Sequence, residues 1–277
     1  MTEKILRTKI QVAVEKTRAT NPMAPSITNT VTQDFVADAQ LAVGGSAVMI
    51  YLPDEGVTMA QVAPALYLNL GTLMPFYAET IPQTLRALKK FEKPFVLDPV
   101  GVGFGELRTE LFMQMKNFPP TIIRGNASEI ITLAKMWGLI NLEIGKVRGV
   151  DSTESVSAAK NAAANLAKFI GGAVAVSGVE DLITDSEIFI YSSGGSALMS
   201  KITGSGCALG GVTAVYAAVA EPLIAAVTGT AIFNCAAVQA EKLTDAPASF
   251  KVKFLDELYK ISAAEVAKNP LRIEAAE

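Results

Sequence analysis

The sequence predicts an α/β fold built on a mostly parallel sheet with helices on both faces. From about residue 26 onward, short apolar segments alternate with longer segments of helical periodicity, which is the pattern of repeated strand-helix units. The short segments are apolar along their whole length, which predicts strands that are covered on both faces. A chain of 277 residues can still share one core of this kind.

Five apolar segments are predicted as the parallel strands. They are, in chain order, Ala47 to Ile50, Leu66 to Leu70, Phe95 to Leu97, Thr121 to Ile123 and Ala173 to Val176. Farther along, Glu187 to Tyr191 and Leu198 to Ile202 flank a pair of glycines, Gly194 and Gly195. This pattern predicts an antiparallel hairpin at the edge of the sheet.

Helices are predicted between these strands from their periodicity and their end signals. They are Asp34 to Val43 before Gly44, Gln83 to Lys90 after Pro82, Glu129 to Met136, and an alanine-rich helix from about Glu154 to Ile170. After the hairpin, the chain is predicted to be helical almost to its end. The sequence has no repeat, low-complexity tract or linker, so we expect residues 1–277 to form a single domain.

The sequence contains no histidine, which excludes several kinds of site. Without imidazole there is no Ser-His-Asp or Cys-His nucleophilic centre and no zinc site built on histidine. Acid-base chemistry must use carboxylates, lysine, tyrosine or thiol. The formal net charge of −3 argues against a protein that binds nucleic acid, because such proteins carry excess Lys and Arg. A small-molecule site is therefore expected.

Two long stretches without a charged residue, Ile202 to Ala220 and Pro222 to Ala240, raise the question of membrane spans. Both are rich in Ala, Gly, Thr and Ser, and only Glu221 separates Ala220 from Pro222, which is too short a connection for two spanning helices. We interpret them as buried core helices and expect no membrane association. The amino terminus lacks an apolar signal segment, and the two cysteines form no disulfide framework, so a cytoplasmic location is expected.

The strongest polar signal is the glycine-rich segment from Thr203 to Gly210, which precedes an alanine-rich helix. Backbone N–H groups in such a loop, together with the positive end of the following helix, can form an anion site. The alternative is helix packing through small residues. The glycine spacing differs from the dinucleotide fingerprint and from the P-loop, which argues against a dinucleotide oxidoreductase and against a P-loop NTPase.

Two further signals combine carboxylates with an arginine at predicted strand ends. Asp98 begins a glycine-containing loop and can hold Mg²⁺, although it can equally be a loop cap before a proline. Arg124 can bind phosphate, and Asn126 and Glu129 can offer oxygens to a metal. The same Asn126 and Glu129 also fit a helix capping box, so a purely structural role stays open.

Two weaker signals are the Ser177 hydroxyl at another strand end and Asn29 in an N-terminal segment, where it is either a turn residue or a ligand contact. No one signal decides the function. Together, an anion site, two carboxylates and an arginine describe phosphoryl transfer, which depends mainly on positioning and on charge neutralisation. That chemistry does not need a histidine.

At these residues the sequence resembles the hydroxyethylthiazole kinases of thiamin salvage, which have a ribokinase-like fold. The most specific strings are Asp98 to Gly103, with the sequence Asp-Pro-Val-Gly-Val-Gly, and Arg124 to Glu129, with the sequence Arg-Gly-Asn-Ala-Ser-Glu. The matching segments span nearly the whole chain in the same order. The others are Ile27 to Asn29 with Val31-Thr32, Leu41 to Gly44 leading to Val48-Met49, Asn69 to Thr72, Arg108 to Glu110, Gly149 to Ser152, Thr203 to Cys207, and Phe254 to Tyr259.

The resemblance implies a three-layer ribokinase-like fold and an ATP- and Mg²⁺-dependent transfer of the γ-phosphoryl group to the hydroxyethyl oxygen of 4-methyl-5-(2-hydroxyethyl)thiazole. It also implies a homotrimer with the thiazole site between subunits. By position, the implied thiazole contacts are Met49, Gly204 and Asn29, and the implied ATP contacts are Arg124, Ser177 and Asn126. The implied Mg²⁺ ligands are Asp98 and Glu129. The implied catalytic loop consists of Gly204, Ser205, Gly206 and Cys207.

Cys207 stands where most ribokinase-like enzymes have an aspartate base. A thiol is mostly protonated at pH 7, although a helix N-terminus is expected to lower its pKa. If positioning outweighs base strength, Cys207→Ala should lower kcat by only about 10²- to 10³-fold, and Cys207→Asp should remain active.

The sequence departs from the family pattern at three places. Pro25-Ser26 precede Ile27 where the family usually has a histidine, Ser177 replaces a threonine, and Ile50-Tyr51 follow Met49 where small or acidic residues are commoner. Two alternatives therefore remain open: a kinase of the same fold that acts on another small primary alcohol, and a nucleotide-binding protein without catalytic activity.

Overall fold

A computed structural model of the chain describes residues 1–141 and 153–275. Within these residues, one eight-stranded sheet contains strands that follow one another in the same order in sequence and in space. The strands are β1 (Ser26–Ile27), β2 (Leu66–Asn69), β3 (Phe95–Asp98), β4 (Ile122–Asn126), β5 (Ala173–Ser177), β6 (Asp181–Thr184), β7 (Ile188–Ser192) and β8 (Leu271–Ala275). Strands β1 to β5 are parallel, and β6 to β8 continue the sheet in antiparallel pairs.

Helices cover both faces of this sheet. They are α1 (Glu3–Thr20), α2 (Gln33–Ala42), α3 (Pro53–Val62), α4 (Tyr77–Lys90), α5 (Glu106–Asn117), α6 (Ala127–Met136), α7 (Thr153–Ile170), α8 (Ser205–Ala217), α9 (Pro222–Glu241), α10 (Pro247–Lys260) and α11 (Ala263–Val266), with a short 3₁₀ helix at Ala197–Lys201. The predicted three-layer α/β architecture is confirmed.

The two faces of the sheet have separate apolar cores. Helices α3 to α7 pack on one face, as expected when successive parallel strands follow one direction with crossovers of one hand. The helices at the two ends of the chain, α1, α2 and α8 to α11, pack on the other face. Neighbouring strand residues alternate between the cores, so that Tyr67 faces α8 while Leu66 and Leu68 face the opposite layer.

Four of the five predicted parallel strands form, each within a few residues of its expected bounds. The exception is Ala47 to Ile50. Its backbone runs beside β1 and makes an isolated bridge between Met49 and Ser26, but it does not form a ladder. The paired part of β1 is itself only two residues long, so no regular strand can extend along it.

The hairpin predicted around Gly194 and Gly195 does not form; the antiparallel hairpin near this edge of the sheet is made by β6 and β7 instead. Strand β7 lies where Glu187 to Tyr191 was expected, and it pairs with β6 on one side and β8 on the other. Leu198 to Ile202 forms most of the 3₁₀ helix instead. Gly194 and Gly195 both have positive φ, which turns the chain away from the sheet after β7.

The helix before β3 begins earlier than the sequence predicted, at Tyr77 instead of after Pro82, which lies inside α4. Proline removes one backbone hydrogen bond there. The buried face of Tyr77, Ile81, Leu85 and Leu88 repeats at helical spacing across the proline, and this apolar face accounts for the longer helix. Helices α1, α3 and α5 were not predicted from the sequence.

The apolar stretch from Pro222 forms α9, which in the described residues is the one helix long and apolar enough to cross a membrane. Of its most apolar window, 78% is buried inside the protein, as expected for a core helix. The stretch from Ile202 contains the shorter helix α8. The matching string from Gly149 to Ser152 lies outside the described residues.

Candidate functional site

The carboxyl ends of β2 to β5 bring together the polar residues that the sequence singled out. Asn69 pairs with Asp98 in the register of β2 and β3, and Leu97 pairs with Ile123 in the next ladder, which places Asp98 beside Arg124. In the β4–β5 ladder, Asn126 pairs with Ser177. Parallel strands end at one edge of the sheet, and ligands bind outside that edge in folds of this kind.

Asp98 is fully buried at the centre of this edge. Its Oδ2 accepts hydrogen bonds from the Tyr67 hydroxyl at 2.9 Å and the Asn69 amide at 3.1 Å. The Arg124 guanidinium donates to the same oxygen at 3.3 Å. Oδ1 has no hydrogen-bond partner among the described residues. Burial raises the pKa of the Asp98 carboxyl, whereas the Arg124 charge and these hydrogen bonds oppose the rise.

Arg124 is the buried cation of the site, with 6% of its surface exposed. It donates to the Ser177 hydroxyl at 2.6 Å as well as to Asp98. Burial is the largest single influence and lowers the pKa of Arg124, but the charge of Asp98 and of further ionisable neighbours, Glu129 among them, together outweigh it. The net shift is upward, so the guanidinium stays charged. The N-terminus of α8 approaches it closely, since a Cβ on Gly206 would lie 2.8 Å from Nη1.

Cys207 lies in the first turn of α8 and faces the same polar group. The Asn29 amide donates to its Sγ at 3.3 Å, and the Asn69 amide donates to it at 3.2 Å. Asn29 also donates to Asn69 Oδ1, so the N-terminal segment and β2 are joined at this point. Burial raises the pKa of the Cys207 thiol and the charge of Asp98 raises it further, contrary to the lowering expected from the helix N-terminus.

Gly204 precedes the first residue of α8 and has a left-handed backbone conformation, which sets the direction in which the helix begins. Its φ is +87°, and a Cβ at this position would lie 2.6 Å from Cγ2 of Thr32. Only glycine fits both the left-handed backbone and the close approach. The hydroxyl of the next residue, Ser205, donates to the carbonyl of Met199, which ties the helix start to the 3₁₀ helix. This serine supports the loop, while the free N–H groups of the first turn supply its anion-binding capacity.

An open cavity of about 570 Å³ begins at Arg124 and Ser177 and extends along the N-terminus of α8. The turn after β5 forms one wall, where Asp181 accepts a hydrogen bond from the Gly178 amide. Asp181 also accepts one from Asn234 of α9. The cavity has room for a ligand of nucleotide size.

Asn126 and Glu129 form a helix capping box, which is the structural one of the two alternative roles predicted for them from the sequence. The Asn126 side chain accepts from the Glu129 amide, and the Glu129 carboxylate accepts from the Asn126 amide, both at 2.9 Å. Burial and the negative charge of Asp98 raise the pKa of Glu129, which places this carboxylate within electrostatic reach of the site. Asn126 itself is exposed.

The donor set fits a magnesium ion that is shared with substrate phosphates. Mg²⁺ is commonly bound through one or two carboxylates while phosphates and water supply the remaining oxygens. Asp98 offers a buried oxygen that has no partner within the described part of the chain, and Glu129 offers the second carboxylate. In residues 1–141 and 153–275 there is no group of three or more His, Cys, Asp or Glu side chains that could hold a metal by itself.

Met49 is half-buried and packs against the core that contains α8. It does not join the polar group. Ser26, at a departure from the family pattern, is fully buried and contacts Gln40 of α2. Tyr51, at another departure, donates from its hydroxyl to Gln33 at 2.6 Å. These contacts anchor β1 and the segment after Met49 to α2.

Sequence reasoning missed Tyr67 and left Asn69 out of the candidate residues, although Asn69 lies in a matching string. Both occur in an apolar strand, where a tyrosine is normally interpreted as a residue of the hydrophobic core. Arg108 was also missed as a positioning group, and it donates to the carbonyls of Leu70 and Gly71 at 3.0 and 2.9 Å. It thereby ties α5 to the loop after β2.

The sequence pattern of the hydroxyethylthiazole kinase family matches residues 14–264. The chain belongs to this family. A hydroxyethylthiazole kinase of Bifidobacterium adolescentis is 46% identical over 96% of this chain and 94% of its own length. The solved structure of a hydroxyethylthiazole kinase protein from Pyrococcus horikoshii has a TM-score of 0.86 and 29% identity, and covers 96% of this chain and 98% of that one.

The fold extends beyond the hydroxyethylthiazole kinase family. A ribokinase-like superfamily protein from Enterococcus faecalis superimposes with a TM-score of 0.59 at 12% identity, over 95% of this chain and 96% of that one. At this identity the likeness concerns the fold alone. The ribokinase-like architecture predicted from the sequence is therefore confirmed.

Proposed function

We propose that the protein phosphorylates 4-methyl-5-(2-hydroxyethyl)thiazole with ATP and Mg²⁺, as a kinase of thiamin salvage. Membership in the hydroxyethylthiazole kinase family supports the reaction. The observation that carries the proposal in this chain is the buried Arg124–Asp98 pair, whose arginine lines the open cavity. Phosphoryl transfer requires a cation, a carboxylate oxygen that is available to a metal, and hydrogen-bond donors such as those of a helix N-terminus.

We assign the nucleotide to the cavity of about 570 Å³. Arg124 binds a phosphate through its guanidinium, and the N–H groups at the start of α8 donate to phosphate oxygens. The Ser177 hydroxyl holds Arg124 in place for this contact. Asn126 sets the start of α6 at the same edge and acts on the nucleotide through Glu129.

We assign the thiazole alcohol to the opposite side of the α8 N-terminus, with Met49, Gly204 and Asn29 around it. Asp98 and Glu129 would hold the magnesium ion, which would neutralise phosphate charge. Cys207 remains a protonated thiol at pH 7, because burial raises its pKa. Its sulfur accepts hydrogen bonds from Asn29 and Asn69, so its own proton can be directed toward the acceptor oxygen.

In a loose transition state the proton of the acceptor hydroxyl leaves late, after most of the bond between the γ-phosphoryl group and the leaving ADP has broken. Positioning of that hydroxyl therefore matters more than the strength of a base. Cys207 and Asn29 supply this positioning, while the α8 amides and Arg124 stabilise the charge on the transferred group.

The experiment is a coupled assay of ATP consumption with a panel of alcohols: hydroxyethylthiazole, hydroxymethylpyrimidine and pyridoxal. We expect the highest kcat/KM with hydroxyethylthiazole and no turnover after chelation of Mg²⁺. An Arg124→Ala variant should bind ATP more weakly in calorimetry, whereas Arg272→Ala, which removes an exposed arginine on β8, should not.

Other outcomes identify the alternatives. A higher kcat/KM with pyridoxal or the pyrimidine would make the protein a kinase of a different primary alcohol. ATP binding without product for any of the three alcohols would support a nucleotide-binding protein without catalytic activity. Unchanged ATP affinity in Arg124→Ala would overturn the assignment of Arg124.

We also propose that residues 1–277 form one catalytic domain and that the protein is a cytoplasmic homotrimer with the thiazole site between subunits. An apolar patch near Asn29 supports the assembly: Val31, Leu52 and Phe76 are exposed, and the Phe76 ring lies 6.2 Å from that of Tyr51. Sedimentation velocity should give a trimer, and Leu52→Asp should lower the oligomeric state. A monomer at micromolar concentration would contradict this assembly.

A further inference from the structure

Tyr67 is a buried tyrosine whose role the proposed reaction does not yet explain. Its side chain leaves β2 and passes beneath the first turns of α8, where it is fully buried. A Cβ on Gly210 would lie 2.4 Å from Cε2 of the Tyr67 ring and 2.6 Å from its hydroxyl oxygen. Glycine at position 210 therefore opens the space that the phenol occupies, and the hydroxyl reaches the middle of the site.

The Tyr67 hydroxyl is part of a fixed set of contacts around Asp98. It donates to Asp98 Oδ2 at 2.9 Å and accepts from the Asn69 amide at 2.9 Å. Asn69 in turn contacts Asp98 and Cys207. One phenol thus links the carboxylate, the amide and, through the amide, the thiol of α8.

Arg124 is a weaker anchor for Asp98 than Tyr67. Its Nη1 lies 3.3 Å from Oδ2, which is longer than the 2.9 Å of the tyrosine contact. Arg124 also donates to Ser177, and its Nε has no hydrogen-bond partner among the described residues. A guanidinium that turns toward a phosphate gives up part of its contact with Asp98. The Tyr67 hydroxyl is enclosed by β2 and α8, and among the described residues Asp98 is the one acceptor to which it donates.

We propose that Tyr67 is a positioning residue that holds Asp98 Oδ2 when Arg124 engages the nucleotide, so that Oδ1, which has no partner among the described residues, remains available as a ligand for the metal. This inference rests on the proposed kinase function. Tyr67 touches neither the nucleotide nor the alcohol in this scheme. It acts by keeping one oxygen of Asp98 occupied and the other available.

The test compares Tyr67→Phe with Tyr216→Phe. Phenylalanine keeps the ring and removes only the hydroxyl. Tyr216 is a matched control because it is fully buried on α8, and its hydroxyl has no hydrogen-bond partner in the described part of the chain. We expect Tyr67→Phe to lower kcat by about 10-fold, the loss of one hydrogen bond to a charged group. The Mg²⁺ concentration for half-maximal rate should rise, with the KM for hydroxyethylthiazole within about 2-fold of the unaltered enzyme.

Calorimetry gives a second readout that does not depend on turnover. The probe is a non-hydrolysable ATP analogue, titrated with and without Mn²⁺. Tyr67→Phe should bind the metal-free analogue with unchanged affinity and lose about 10-fold of the gain that Mn²⁺ provides. Tyr216→Phe should behave like the unaltered protein in both titrations. Gly210→Ala, which forces the ring aside, should show the same selective loss as Tyr67→Phe.

An equal loss of affinity with and without Mn²⁺ would show that Tyr67 has only a structural role, and it would overturn the proposal. Unchanged metal dependence in Tyr67→Phe would overturn it as well. The titrations separate this proposal from the proposed function: if hydroxyethylthiazole is not phosphorylated, the difference between the metal-free and Mn²⁺ titrations still decides whether Tyr67 positions Asp98.

Discussion

Removal of the Arg124 charge should destabilise the protein in a pH-dependent way. In Arg124→Met the buried carboxylate of Asp98 loses its counter-charge but keeps its hydrogen bonds from Tyr67 and Asn69. Loss of one partner from a buried ion pair costs about 3 to 5 kcal/mol. We expect about 3 kcal/mol, the lower end, because those two donors remain. For a chain of this size, this corresponds to a decrease in Tm of roughly 6 to 12 °C.

The sign of the pH dependence follows from Asp98. Burial raises the pKa of its carboxyl in the folded protein, and Arg124 opposes this rise, so Arg124→Met raises the pKa further. The folded state then binds a proton more tightly than the unfolded state does. Folding is therefore favoured as pH falls, and the stability difference between Arg124→Met and the unaltered protein should shrink from pH 7.5 to pH 5.

The assay is urea unfolding at several pH values without nucleotide or metal. Asp98→Asn combined with Arg124→Met should recover most of the lost stability, since it leaves no buried charge. Lys253→Met is the control, because it removes an exposed pair with Asp256 and should change the free energy of unfolding by about 0.5 kcal/mol or less. A loss below about 1 kcal/mol in Arg124→Met, or a loss that grows on acidification, would refute this account.

Three further results are expected. Cys207→Ala should lower kcat by about 10²-fold while Cys207→Asp keeps measurable turnover, and the unaltered enzyme should show no gain in rate from thiolate formation between pH 7 and pH 8, because burial raises the pKa of Cys207. Stopped-flow or steady-state rates against pH would check both. As pH falls, kcat/KM should decrease because Asp98 and Glu129 gain protons. The apparent pKa of this decrease should lie above the usual carboxyl range, since burial raises the pKa of both residues. Gly204→Ala should lower the free energy of unfolding by about 1 to 2 kcal/mol or more, because of its φ of +87° and its contact with Thr32, as measured in urea.

The sequence predicted the parallel strands well because these strands are apolar throughout and bounded by turn residues. It failed where tertiary contacts decide the outcome. Leu198 to Ile202 has three apolar residues, enough to suggest a short strand, yet the positive φ of Gly194 and Gly195 directs it away from β7. Pro82 is an ordinary signal for a helix start, but an apolar face that spans the proline outweighs the one hydrogen bond lost.

The same limit applies to the site. Arg124, Asp98 and Ser177 could be predicted because each lies at the carboxyl end of a strand, and a parallel sheet brings these ends to one edge. Tyr67 could not be predicted, since its importance depends on a helix more than a hundred residues later that has a glycine opposite its ring. The downward shift expected for the pKa of Cys207 was wrong, because burial and the charge of Asp98 outweigh the helix N-terminus.

The charges around the cavity explain why a cation should strengthen nucleotide binding. Among the described residues that line it, Arg124 carries a positive charge, while Asp181 and Glu241 carry carboxylates. Asp98 already pairs with Arg124 behind it. A triphosphate that enters this space therefore meets a guanidinium whose charge is largely balanced, and the amides of α8 add only partial charges. Asp98 and Glu129 would hold a divalent cation beside the phosphates, and its positive charge would shift that balance. Among the described residues, Asp98 Oδ1 has no hydrogen-bond partner, so it would be available to such a cation.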